Sequence, residues 1–165
     1  MIINHLSVME KRAALLKCCS SQAWVDLLLL KYPFESIAAL IKNADECWIG
    51  LKETDYLEAF SGHPKIGDLE SLREKYAETA SLASVEQVGT MGADEDVLKM
   101  LAVGNKSYEK KFGFIFIVCA SGKSADEMLN LLQARMVNDR ETELINAAEQ
   151  QRQIFHIRLK QLGQT

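Results

Sequence analysis

The stretch Asn105-Lys106-Ser107-Tyr108-Glu109-Lys110-Lys111-Phe112-Gly113-Phe114-Ile115-Phe116-Ile117-Val118-Cys119-Ala120 holds two patterns end to end. Up to Phe112 the apolar residues continue a helical spacing that begins upstream with Val97 and Leu101 and takes in Tyr108. From Phe112 to Ala120 the run is aromatic and β-branched, the composition of a buried strand. A partner strand would make the chain a mixed α/β protein, and no other segment offers one. The fold class is therefore read as all-α, a single-domain multi-helix bundle with one extended apolar segment, 112–120, among the helices. Such a segment must pair its backbone N–H and C=O groups outside a ladder. A ligand is one candidate partner.

On either side the chain reads as helices separated by short polar breaks. Ser7 with Glu10 and Ser124 with Glu127 have capping-box spacing, and Ser84 with Gln87 has the same spacing. The first opens a helix to about Cys19. Ser20-Ser21 precede a second over Ala23 to Leu30, which Pro33 stops. A third runs from Ser36 to about Trp48 and is closed by Gly50; a fourth covers Asp55 to Phe60. Leu69 to Thr79 reads as a charged surface helix. Beyond Ser124, Met128, Leu132, Arg135 and Met136 share one side. In the last helix Leu144, Ala148, Phe155, Leu159 and Leu162 recur at three- and four-residue steps as one apolar stripe. Arg158 falls about 60° from the centre of that stripe, where its head can turn inward; His156 is more peripheral.

Composition narrows the function classes. The 165 residues are 48% hydrophobic and 25% charged, which suits one ordinary globular domain spanning 1–165. Two prolines and nine glycines argue against a long linker or disordered tail. Nineteen Lys and Arg against twenty-three Asp and Glu give a net charge of −4, and no basic stripe suited to nucleic acid stands out. The apolar run 112–120 is about half of the roughly 20 residues that a membrane-spanning helix needs. The opening residues Met1 to Leu6 lack an export pattern, so the cytosol is the expected compartment. There Cys18, Cys19, Cys47 and Cys119 are expected to be reduced and mostly buried. His5, His63 and His156 show no ligand spacing, so no metal is expected.

Three places carry chemistry. His63 sits in Ser61-Gly62-His63-Pro64-Lys65-Ile66-Gly67-Asp68, a bent and rigid loop at a helix end. Its ordinary pKa near 6.5 lets it move a proton close to neutrality. The plainer reading is a surface histidine in a turn. Ser84-Val85-Glu86-Gln87 would offer a helix N-terminus to an anionic or carbonyl group; N-capping by itself explains most of the pattern. Arg158 is either a planar fork for a carboxylate or a side chain laying its stem over the core edge.

Taken in order, these pieces resemble the OHCU (2-oxo-4-hydroxy-4-carboxy-5-ureidoimidazoline) decarboxylases of urate breakdown. The matching residues are Gly62 to Asp68, Glu86-Gln87, Asn105 to Phe114 running into Phe116 to Ala120, Gly122-Lys123-Ser124, Arg135 with Asn138-Asp139, and Ile157-Arg158-Leu159. The chain departs from that pattern at Ala83, where the family commonly carries serine; here the serine is Ser84. The resemblance implies an all-α dimer that uses no metal or organic cofactor. It further implies loss of CO2 and protonation to give (S)-allantoin. By motif, His63 would be the catalytic acid, Glu86 a substrate-orienting carboxylate and Arg158 the holder of a substrate carbonyl or carboxylate. Pro64, Ser84, Gln87, Phe116, Ile117, Val118, Cys119 and Ala120 would line the pocket. From another class, the rival reading is a non-catalytic helical binding protein, or an inactive relative that kept the fold.

Overall fold

A computed structural model of the chain describes residues 1–65, 67–83 and 91–164, with the side chains of 78–83 and 91–94 excepted. Among the described residues it is all helix and connection, with no strand. A short 3-10 turn, Ile2–His5, leads into α1 (Val8–Cys18), α2 (Gln22–Leu29), α3 (Ile37–Trp48), α4 (Glu53–Ser61), α5 (Leu69–Ala83), α6 (Met91–Phe112), α7 (Ala125–Met136) and α8 (Arg140–Gln164). The chain falls into two compact units: 1–63 with 117–119 and 146–165, and 64–116 with 120–145.

The caps account for where the helices start. Ser7 and Glu10 make the full reciprocal box at α1. Ser21 and Ser36 accept from the backbone N–H of Trp24 and Ala39, starting α2 and α3. Ser124 accepts from the Glu127 N–H at α7, a one-sided cap rather than the reciprocal pair its spacing predicts. The Ser84–Gln87 pair lies outside the described residues. Helix α5 runs on to Ala83, four residues past the expected Thr79.

In the first unit the core gathers around aromatic rings. Phe155 of α8 lies 5.0 Å from Trp24 and 5.6 Å from Trp48, ring centre to ring centre. Both indoles also find acceptors, Trp24 Nε1 donating to the Ala44 carbonyl at 3.0 Å and Trp48 Nε1 to the Ala148 carbonyl at 3.1 Å. Burial of such large rings with their N–H groups satisfied is what makes them strong anchors. The buried line of α8 is 143, 147, 151, 155 and 159, which keeps Phe155 and Leu159 of the predicted stripe and holds Glu143, Ala147 and Gln151 in place of its other members. Leu144, Ala148 and Leu162 flank it, half-buried. The line thus holds Glu143 and Gln151, both completely enclosed, among Ala147, Phe155 and Leu159.

The second unit packs α6 against α5 and α7. Gly104 makes the α6–α7 approach possible, since a Cβ there would stand 2.6 Å from Leu132 Cδ2. The same unit holds a polar knot around the buried Glu143. The Tyr108 hydroxyl donates to Glu143 Oε1 at 2.6 Å, Arg135 Nε donates to the same oxygen at 2.6 Å, and Asn138 Nδ2 donates to Oε2 at 3.0 Å. Burial, reinforced by the Glu143 carboxylate, pushes the Tyr108 phenol far above its ordinary pKa.

Gly113 ends α6. At φ +82° it occupies the left-handed region that suits glycine, and its N–H closes on the Glu109 carbonyl at 2.8 Å. Residues 113–120 then run without helix or strand, as the sequence predicts, until a turn at 121–122. Ile117 and Cys119 are buried while Phe116, Val118 and Ala120 are half-buried, the two-residue alternation of an extended chain. All four cysteines are buried, and none is in a disulfide among the described residues.

Candidate active site

Helix α4 delivers His63. The His63 N–H bonds back to the Phe60 carbonyl at 3.2 Å, so the residue prolongs the last turn of the helix. Its imidazole is half-buried, and Nε2 lies 2.5 Å from Oε1 of Gln151. Burial lowers the imidazole below its ordinary pKa of 6.5; the Gln151 bond opposes this, and the positive field of Arg158 adds to it. The resting ring is therefore neutral near pH 7.

Arg158, three residues beyond Phe155 on α8, is half-buried at the edge of the buried line, as its position in the sequence predicts. Its Nη1 donates to the carbonyls of Lys17 and Cys18, at 3.3 and 3.2 Å. Those are terminal carbonyls of α1, which no further helical turn satisfies. The guanidinium so caps α1 while its charge bears on His63. It also lines an open cleft of about 650 Å³ bordered by α1 residues including Glu10 and Lys17; His63 is not part of that wall.

Residues 117–119 join the same unit. The Cys119 N–H is taken up by Oε1 of Gln150 at 2.9 Å, a side-chain acceptor in place of a ladder. Consecutive glutamines of α8 thus serve two predicted site segments, Gln150 the extended chain and Gln151 the histidine. Neither was expected from the sequence. The available signal was Gln151 itself, which stands three residues after Ala148 and four before Phe155, inside the apolar stripe.

In the other unit, Phe116 lies 5.2 Å from the Tyr108 ring and 4.7 Å from the Arg135 guanidinium. The Ala120 carbonyl accepts from Lys123 N–H at 3.1 Å, and Pro64 is exposed. Several residues of the recognised motifs have structural work here. Asp68 accepts from the Ser71 N–H at 2.7 Å and starts α5; Asp139 accepts from the Thr142 N–H at 2.7 Å and starts α8. Lys65 pairs with Glu109 at 2.6 Å, and Arg140 Nε donates to the Phe112 carbonyl at 3.1 Å. Ser84, Glu86 and Gln87 lie outside the described residues. Among those described, no group of three His, Cys, Asp or Glu side chains is gathered as a metal would need.

The family model described as OHCU decarboxylase matches residues 4–160. The chain belongs to the OHCU decarboxylase family. It is 36% identical over 147 residues to the uric acid degradation bifunctional protein TTL of Arabidopsis thaliana, covering 88% of this chain and 45% of that one. A crystal structure of OHCU decarboxylase in the presence of (S)-allantoin superposes with a TM-score of 0.71 at 34% identity, covering 91% of this chain and 96% of the other. The fold is shared as well with a crystal structure of (S)-allantoin synthase, at a TM-score of 0.70 and 18% identity over 96% of this chain and 52% of that one. The chain spans less than half the length of the curated relatives it matches. Among the described residues no helix is long and apolar enough to cross a membrane.

Proposed function

We propose that this chain decarboxylates 2-oxo-4-hydroxy-4-carboxy-5-ureidoimidazoline to (S)-allantoin in urate breakdown, without metal or organic cofactor, and that His63 is the catalytic acid. What carries the reading is a titratable imidazole at Gly62-His63-Pro64, seated against an enclosed glutamine, in a chain that matches the family over 4–160. Decarboxylation breaks the bond from ring carbon to carboxylate. CO2 leaves, the electron pair stays on the ring and spreads through its conjugated system, and one proton must reach one face. The protein has to orient the carboxylate, offset charge and deliver that proton. A neutral resting imidazole suits the entry of an anionic substrate, whose carboxylate then raises the imidazole pKa and favours its protonated form. In this reading Glu86 orients the substrate, Arg158 offsets charge, and Pro64, Ser84, Gln87 and the segment Phe116 to Ala120 line the pocket. The enzyme is proposed to act as one domain, in a homodimer, in the cytosol, with no nucleic-acid partner.

The test is purified protein supplied with freshly generated substrate and followed by ultraviolet absorbance and circular dichroism. Faster loss of the substrate band than in buffer, with the dichroism of one allantoin enantiomer, is the expected result. The rival is a non-catalytic binding protein or inactive relative, and one observation favours it: the two acceptors of Arg158 Nη1 are main-chain carbonyls of α1. Substrate decay at the buffer rate would establish that rival.

A further inference from the structure

Gln151 occupies the middle of the buried line of α8, with no solvent exposure. Its Oε1 faces His63 Nε2 at 2.5 Å, and its Nε2 is enclosed without a hydrogen-bond partner among the described residues. An amide oxygen can only accept, so the hydrogen of that contact belongs to the imidazole. With the carboxamide in this orientation, neutral His63 carries its proton on Nε2, and Nδ1 is left with the lone pair. The unpartnered amide donor shares one planar carboxamide with the oxygen that holds the histidine. Enclosed donors are nearly always paired. An acceptor oxygen arriving beside His63 would complete the set.

We propose that Gln151 is a further site residue with two duties: its Oε1 holds His63 in the Nε2–H form so that Nδ1 exchanges the reaction's proton, and its Nε2 donates to an oxygen of the bound substrate. The proposal rests on the reading of His63 given above and assigns the atom through which it acts. It also explains why a glutamine interrupts the apolar stripe. A leucine there would leave the imidazole free to turn and to exchange tautomers. Arg158, seven residues further along α8, is the charged group that bears on the ring among the described residues, and it is retained in every variant below.

The experiment combines nitrogen-15 histidine spectra of the ligand-free protein with steady-state kinetics. In the wild type, neutral His63 is expected as the Nε2–H tautomer. Gln151→Met removes both duties: the tautomers mix, kcat falls at least tenfold and KM rises. Gln151→Glu keeps an acceptor but loses the donor. It should preserve the tautomer, raise KM, and move the His63 limb of the pH profile upward, because a carboxylate favours the imidazolium. A wild-type Nδ1–H tautomer overturns the proposal, as does a folded Gln151→Met with wild-type kcat, KM and pH profile. Should Gln151→Met fail to fold, the wild-type tautomer and Gln151→Glu still decide. Activity surviving His63→Ala would sink the role of His63, whereas the tautomer is read without substrate and stands or falls separately.

Discussion

Gly62 stands against Ser20 so closely that a Cβ on the glycine would lie 2.5 Å from Cβ of Ser20. Gly62 has an ordinary backbone conformation, so what requires glycine here is space rather than a left-handed φ. The contact fixes where α4 ends, and His63 is the next residue. Sequence and packing therefore meet at the position that aims the imidazole.

Gly62→Ala is expected to cost about 1–3 kcal/mol, the usual penalty of forcing extra atoms into a filled site, and to lower activity by displacing His63. Ser20→Gly should relieve it. The double variant regaining both melting temperature and turnover is the diagnostic result, measured by thermal denaturation and steady-state kinetics. A Gly62→Ala protein as stable and as active as the wild type would refute the steric account.

The carboxylate of Glu143 has no exposure and is held by Tyr108, Arg135 and Asn138. Arg135→Met removes the compensating charge and leaves a buried anion, for which about 3–5 kcal/mol is expected. Tyr108→Phe removes one neutral donor while the Arg135 and Asn138 contacts remain, so about 1–2 kcal/mol is expected. Urea denaturation of the two variants checks the ordering. Equal losses would mean that the ion pair is not the dominant member.

Much of this was legible in the sequence. Ser7, Ser21, Ser36 and Ser124 announce their helices because N-capping is a local interaction between residues three apart. The extended run from Phe114 to Ala120 is legible for a similar reason, as local composition sets it apart. The polar members of the buried line of α8 were not legible, because Gln151 meets a histidine 88 residues away and Glu143 gathers Tyr108 from 35 residues away with Arg135 and Asn138 from the preceding turn, a convergence that spacing does not show. Spacing showed a stripe; it did not reveal that two polar residues in it were satisfied rather than solvated. The same distance effect hid the second duty of Arg158, whose carbonyl acceptors lie 141 and 140 residues earlier.

For Arg158→Lys, both roles predict loss, but in different measurements. A lysine brings one point charge where the arginine offers a planar fork. It is expected to lose at least about tenfold in kcat/KM, equivalent to roughly 1.4 kcal/mol of transition-state binding. Weakened capping of α1 should lower stability by up to about 1 kcal/mol. If stability falls and kcat/KM does not, the residue is a helix cap and not part of the site.

His63 links activity and stability to pH with a defined sign. Burial holds its folded-state pKa below 6.5, with the charge of Arg158 acting in the same direction. Well above pH 6.5 the ring is neutral in both folded and unfolded chains, and the fold suffers no penalty. As pH falls below 6.5 the unfolded chain binds the proton first, so the stability that this site contributes declines through the folded-state pKa and then levels off. His63→Asn abolishes this linkage. The difference in unfolding free energy between wild type and His63→Asn should therefore be constant above about pH 7 and shift against the wild type in more acidic buffer. On activity, the free-enzyme limb of kcat/KM should fall below pH 6.5, and His63→Ala should cost about 10²–10⁴-fold in kcat. A His63 signal titrating above 6.5 in the ligand-free protein would contradict the burial argument, and His63→Ala retaining half the wild-type rate would remove the histidine from the chemistry.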